Sequence, residues 1–206
     1  MIRLWRAPWS TNVERVALAL AHKGLAVESL LISYEDRSPV EAISGQGLVP
    51  VLEDDGVVVV DSTRILRHLE RRYPDPRLFP AEPARRAEVD VFIDWFDQVW
   101  KVAPNALEAE LRAAAPDGDR IAALATTLGE HLVLVERLLD GRDYLYGDFS
   151  AADCIAFPFL KFARGRDPED DEAFHRVLED YQRPAAARLE GLLAWIERVD
   201  AHPRSY

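Results

Sequence analysis

The stretch G-L-V-P-V-L-E-D-D-G-V-V-V-V-D-S-T-R-I-L-R-H-L-E-R-R, from Gly47 to Arg72, changes its hydrophobic period part-way along. Apolar runs on either side of Asp54-Asp55-Gly56 predict two antiparallel strands, Val49–Glu53 and Val57–Val60, because glycine accepts the positive φ of a tight hairpin turn. From Ser62 onward, Ile65, Leu66, Leu69 and Tyr73 recur at helical spacing, which predicts a helix with one buried face that Pro74 stops. A helix opening at Asp61-Ser62 presents N–H groups without intrahelical partners and a partial positive charge. That makes a place for a carboxylate, although either side chain also serves as an ordinary N-cap. Pro50 has no hydrogen to give a ladder, so the strand opening at Val49-Pro50 reads as an edge where an extended, peptide-like ligand can pair.

Working outward towards the N-terminus, Ile2–Trp5 is apolar enough for a strand and the loop Arg6–Asn12 follows it. Val13, Val16, Ala17, Leu20 and Ala21 mark one face of a helix that stops at Lys23-Gly24, and Val27–Ile32 predicts a second strand. A helix between two strands implies a parallel β-α-β unit. Residues 33–46 are polar, with one short helix near Pro39–Ile43, so the first part of the chain reads β-α-β-α-β-β-α with four strands.

Towards the C-terminus, Pro74, Pro76, Pro80 and Pro83 punctuate a linker. Beyond it only helices are suggested, at about 83–114, 119–140, 150–165, 170–182 and 184–199. The first is expected to bend near Pro104, since an interior proline removes a hydrogen bond and clashes with the preceding turn. Phe92, Trp95, Phe96, Val99, Trp100 and Leu107 on it cover more than one stripe, so some of them should face an element beyond the core. Ser150-Ala151-Ala152-Asp153 reads as a capping box with Asp in place of Glu or Gln, and Cys154 beside it as a buried small hydrophobe.

Composition narrows the function. A net charge of −11 argues against nucleic acid and against anionic membrane as partners. No apolar run is long enough to span a bilayer, and the first residues do not form a signal peptide. A single cysteine, Cys154, excludes an internal disulfide and fits a reducing, cytoplasmic setting. Only three residues are lysine (Lys23, Lys101, Lys161) against 22 arginines, and none of the five histidines has a second ligand at metal spacing, so no metal site is expected.

Taken together, V-P opening the third strand, D-S at the start of the third helix, the proline-rich linker and G-D-F-S-A-A-D in a helical second half resemble the cytosolic glutathione S-transferase superfamily over essentially the whole chain. The resemblance implies a thioredoxin-like domain over residues 1–75, a linker over 76–82 and an all-helical domain over 83–206. It implies glutathione as co-substrate: a cis Val49-Pro50 bond with the Val49 backbone on the cysteinyl unit, Asp61 on the γ-glutamyl ammonium, and Ser62 on its carboxylate. Classes similar to theta, zeta and bacterial members stabilise the thiolate with a serine or cysteine before the first helix. Here Ser10, Thr11 and Asn12 occupy that loop, the spacing to Arg15 fits Ser10 or Thr11, and Ser10 is favoured. Leu48 stands where the family often has lysine, which leaves the glycyl carboxylate to Gln46 or to a residue of the 33–40 loop.

The activity so implied is thiol transfer to a small apolar electrophile lying against Trp9, Trp100, Phe96 and Ala103. A homodimer is expected as well. A non-catalytic binding module on the same scaffold is the rival reading, since fold does not fix function, and isomerisation, peroxide reduction and dehalogenation stay open because each starts from the same thiolate. Disulfide reduction is disfavoured because no cysteine stands in the loop at residues 7–12.

Overall fold

The structure, a computed structural model, describes all residues from Met1 to Tyr206. Strands β1 (Ile2–Arg6), β2 (Val27–Leu31), β3 (Val51–Asp54) and β4 (Val57–Val60) form one sheet in the order β2-β1-β3-β4. β1 and β2 run parallel across helix α1 (Thr11–His22), whereas β3 is antiparallel to both β1 and β4. Asp55 and Gly56 both take positive φ, 49° and 86°, the two-residue turn that matches strand twist and explains why the hairpin was legible.

Side chains alternate across this sheet. Ile2, Leu4 and Leu52 join the main core with α1 and α3 (Ser62–Arg72), while Trp5 and Val51 join a smaller cluster on the other face, closed by Val40 of α2 (Ser38–Ser44). β3 begins at Val51 and not at the expected Val49, since Pro50 has no N–H for the ladder and follows a cis bond, and it lies between β1 and β4 instead of at the expected edge. The backbone N–H and C=O of Val49 make no hydrogen bond within the chain.

Residues 73–82 lie outside helix and strand and include a second cis bond, Asp75-Pro76. This segment is pinned from below. The Lys23 ammonium donates to Glu70 at 2.9 Å and to the carbonyls of Tyr73 and Pro76 at 2.6 and 2.9 Å, and Glu70 Oε2 also accepts the Leu78 N–H at 2.9 Å. Both side chains are buried, so removing the carboxylate charge leaves an ammonium in an apolar place. Glu70→Gln is expected to lower the unfolding free energy by about 2 kcal/mol in urea titration, less than a full truncation because the amide still accepts from Leu78.

The second half is helical: α4 (Pro83–Trp95), α5 (Val102–Leu111), α6 (Gly118–Leu138), α7 (Ala151–Leu160), α8 (Ala173–Ala185) and α9 (Glu190–Asp200). Between α4 and α5 lies a π-turn, Phe96–Trp100, closed by Lys101 N–H on Phe96 C=O at 3.2 Å. The irregularity expected at Pro104 therefore lies one turn earlier, as a π-turn. Pro104 sits in the first turn of α5, where a missing N–H costs nothing, and it is the carbonyl four residues back, on Trp100, that would meet its ring. The π-turn absorbs that conflict. A second correction concerns Pro184, which lies near the end of α8; the last helix starts at Glu190.

Of Phe92, Trp95, Phe96, Val99, Trp100 and Leu107, most are spent inside the molecule, and Val99 is the exposed one. Phe92, Phe96, Trp100 and Leu107 are buried, and Phe96 stacks on Trp100 at 4.5 Å with planes 8° apart. The capping box at α7 is complete. Asp153 accepts Ser150 N–H (2.9 Å) and Ser150 Oγ (3.0 Å) on one oxygen, and Leu145 N–H (3.1 Å) and Trp195 Nε1 (2.8 Å) on the other. Cys154 is fully buried, and burial pushes its thiol well above the usual range.

Candidate active site

A cleft of about 560 Å³ opens between the two halves of the chain, within the roughly 300–1,000 Å³ that small-molecule sites occupy. The first half contributes Asn12, Gln46, Leu48, Val49, Pro50, Val60, Asp61 and Ser62; the second contributes Asp97, Gln98 and Lys101 from the π-turn and its edge.

Each group is aimed by the element that carries it. Asp61 caps α3 by accepting the Arg64 N–H on Oδ1 at 2.9 Å, which leaves Oδ2 open to a cation. It does so with φ 73° and ψ 124°, a backbone conformation costly for a non-glycine residue and typical of functional positions. Ser62 is buried, and its Oγ accepts from Arg15 at 3.3 Å, so its own proton is free to point outward.

Behind Ser62 stands a charge cluster. The Arg15 side chain, 1% exposed, donates to the Ile155 carbonyl of α7 at 3.0 Å and to Asp97 Oδ1 at 2.9 Å. Lys101 shares that same oxygen at 2.9 Å, and Thr63 Oγ1 donates to Asp97 Oδ2 at 2.8 Å. Burial raises the Asp97 carboxyl, but Arg15, Lys101 and the Thr63 hydroxyl outweigh it and hold the group below its ordinary value. Lys101 moves down too, through burial and then repulsion by Arg15, against the pull of Asp97. One α1 arginine thus joins α3, the π-turn and α7.

The sequence candidates distribute unevenly. Val49, Pro50, Gln46, Asp61 and Ser62 meet in the cleft, and of the three loop residues only Asn12 lines it. Ser10 is the N-cap of α1, accepting the Val13 N–H at 3.4 Å, and it opens with Trp9 onto a neighbouring cavity walled by Arg6, Lys161 and Tyr206. Thr11 is buried. Gln46 folds back on its own loop, donating to the Leu48 carbonyl at 2.8 Å and accepting its N–H at 2.6 Å, while the Leu48 side chain stands 74% exposed. Phe96, Trp100 and Ala103 are sealed in the core and reach no cleft wall, because the π-turn rotates Phe96 and Trp100 inward and Asp97 and Lys101 outward. Asp97 and Lys101 escaped the sequence reading. Their one signal was an acid and a scarce lysine at i,i+4 within an otherwise aromatic run.

Residues 4–77 match the family described as glutathione S-transferase, N-terminal domain. Glutathione S-transferase GstB of Escherichia coli K12 is 31% identical over 170 residues, spanning 78% of this chain and 82% of that protein. The chain belongs to the glutathione S-transferase family. Maleylacetoacetate isomerase of Pseudomonas aeruginosa is similar at 32% identity over 148 residues, 68% of this chain and 70% of that one. The Tau class glutathione S-transferase of mango, Mangifera indica, shares the fold with a TM-score of 0.80 over 98% of this chain and 89% of its own, at 21% identity. A glutathione S-transferase fold is thus carried by a chain whose helical half has a polar cleft wall, and its activity is that of a glutathione transferase-type enzyme. No helix is long and apolar enough to cross a membrane.

Proposed function

We propose that the cleft binds glutathione and presents its sulfur to an electrophilic carbon. The observation that carries this reading is the unpaired Val49 backbone, just ahead of β3, beside the mouth of α3, so that one cleft offers both a free peptide group and a helix N-terminus. Val49 pairs with the cysteinyl unit. The Ser62 hydroxyl and the first N–H groups of α3 take the γ-glutamyl carboxylate, and the free oxygen of Asp61 takes its ammonium. Arg15 acts from behind, fixing the Ser62 hydroxyl. Gln46 contributes through its loop, since its amide is already engaged with Leu48.

For the thiol, Asn12 replaces Ser10 as the preferred donor. It occupies the first turn of α1, where a side-chain N–H and the helix dipole together stabilise a thiolate whose ordinary pKa is about 8.5. Asn12→Ala is expected to lower kcat about 100-fold and to raise the pKa of bound glutathione, read as thiolate absorbance against pH. Ser10→Ala is expected to change either by less than about 5-fold, since its hydroxyl serves the cap. The reverse pattern would return the role to Ser10.

Pairing of two copies accompanies this reading. β4 is a sheet edge carrying exposed Val57 and Val58, and α4 exposes Val91, apolar surface that a second copy covers; light scattering at micromolar concentration tests it. A reducing cytoplasm, where glutathione is plentiful, fits a chain with one buried cysteine.

A further inference from the structure

Glutathione as placed above uses Val49, Ser62 and Asp61, and those contacts leave the one cation among the cleft's lining residues, Lys101, unused. Arg15 and Lys101 share the carboxylate of Asp97, and Asp61 is the other acid that acts on both. Arg15 is sealed, whereas the Lys101 side chain is 21% exposed on the cleft wall. The ammonium is held in place by Asp97 and by the face of Phe159, 4.7 Å from its centroid, and it stands 3.5 Å from Asn12 Oδ1. Of these contacts only the one to Asp97 is close, so the ammonium keeps room for another acceptor from the cleft.

The surroundings make this cation conspicuous. The chain carries a net charge of −11 and three lysines, and of these only Lys101 lines the cleft, Lys23 pairing with Glu70 and Lys161 with Glu14 elsewhere. The second half of the chain gives this cleft only Asp97, Gln98 and Lys101, a wall without an apolar side chain.

Building on the glutathione reading, we infer that Lys101 selects electrophiles bearing a carboxylate, pairing with that group while the thiolate attacks the carbon beyond it. The electrophile's body can still be apolar; its charged end fixes the direction of approach. In the reaction that tests this, the glutathione sulfur forms a C–S bond to the benzylic carbon of 4-(chloromethyl)benzoate, and the C–Cl bond breaks with chloride leaving on its electron pair.

The readout is the ratio of kcat/KM for 4-(chloromethyl)benzoate to that for the uncharged 4-(chloromethyl)benzamide, in wild type, Lys101→Met and Lys101→Arg. Wild type is expected to prefer the acid, Lys101→Met to lower the ratio about 30-fold, and Lys101→Arg to restore most of it. A ratio unchanged by Lys101→Met, with both substrates slowed equally and the thiol pKa raised, would assign Lys101 to the thiolate and overturn the inference. So would a wild type indifferent to the carboxylate. Calorimetry with glutathione separates the two layers: wild type that binds no glutathione brings down the proposed function, whereas binding without acid preference brings down only the role of Lys101.

Discussion

Asp153→Ala is expected to lose about 4–5 kcal/mol of stability, a third or more of what a domain of ordinary stability possesses. The carboxylate is wholly buried and takes four hydrogen bonds from three residues: Ser150, Leu145 and Trp195. Truncation strands two backbone N–H groups and an indole N–H where water does not reach, each at about 1–3 kcal/mol. Trp195→Phe, which removes one donor and leaves the acid, should cost far less, so the pair separates loss of the network from loss of one bond. The pH dependence has a definite sign. Burial pushes Asp153 up to about 6, above its ordinary 3.8, even against its donors, so the folded state binds the proton more tightly than the unfolded chain does. Its contribution accordingly weakens as pH rises from about 4 through 6. Urea titrations across that window should show wild type losing stability relative to Asp153→Asn.

The second large effect belongs to Asp97. Asp97→Ala leaves a sealed guanidinium and a half-buried ammonium facing each other without their shared anion, and about 3–4 kcal/mol should be lost. Glutathione affinity should fall with it, because Arg15 holds the Ser62 hydroxyl from the same cluster. Here the acid dependence runs the other way. The folded carboxyl lies below its ordinary value, so its stabilisation is complete above about pH 4 and is lost as pH falls through the lower folded pKa. In Asp97→Asn the stability difference between pH 5 and pH 2 should shrink. An unchanged acid limb in that variant would remove Asp97 from the account of acid unfolding.

What the sequence made legible was whatever depends on local backbone chemistry. Asp55-Gly56 forces a turn, Pro50 interrupts a ladder, Ser150 with Asp153 closes a helix, and each of these acts within a few residues. Hence the four strands, the hairpin and the first-half residues that line the cleft, Gln46, Val49, Pro50, Asp61 and Ser62, were readable. The second-half wall of the cleft was not. Phe96 and Trp100 looked like pocket residues because aromatic side chains suit both a core and a binding wall, and only the extra residue of the π-turn decides which face they take. That rotation answers to Pro104, downstream, through a carbonyl that sequence pattern does not display. Asn12 posed a similar problem: three small polar residues in a row can each cap a helix, and which one looks into the cleft depends on where the other half of the chain sits.

Cys154, walled in at the start of α7, has a consequence for how the enzyme endures its own work. A catalyst that brings soft alkylating agents to sulfur all day is exposed to self-poisoning wherever a thiolate of its own is within reach. Here the polypeptide's only sulfhydryl is buried and its thiol pushed well above the usual range, so such reagents find no thiolate of the protein's own to attack.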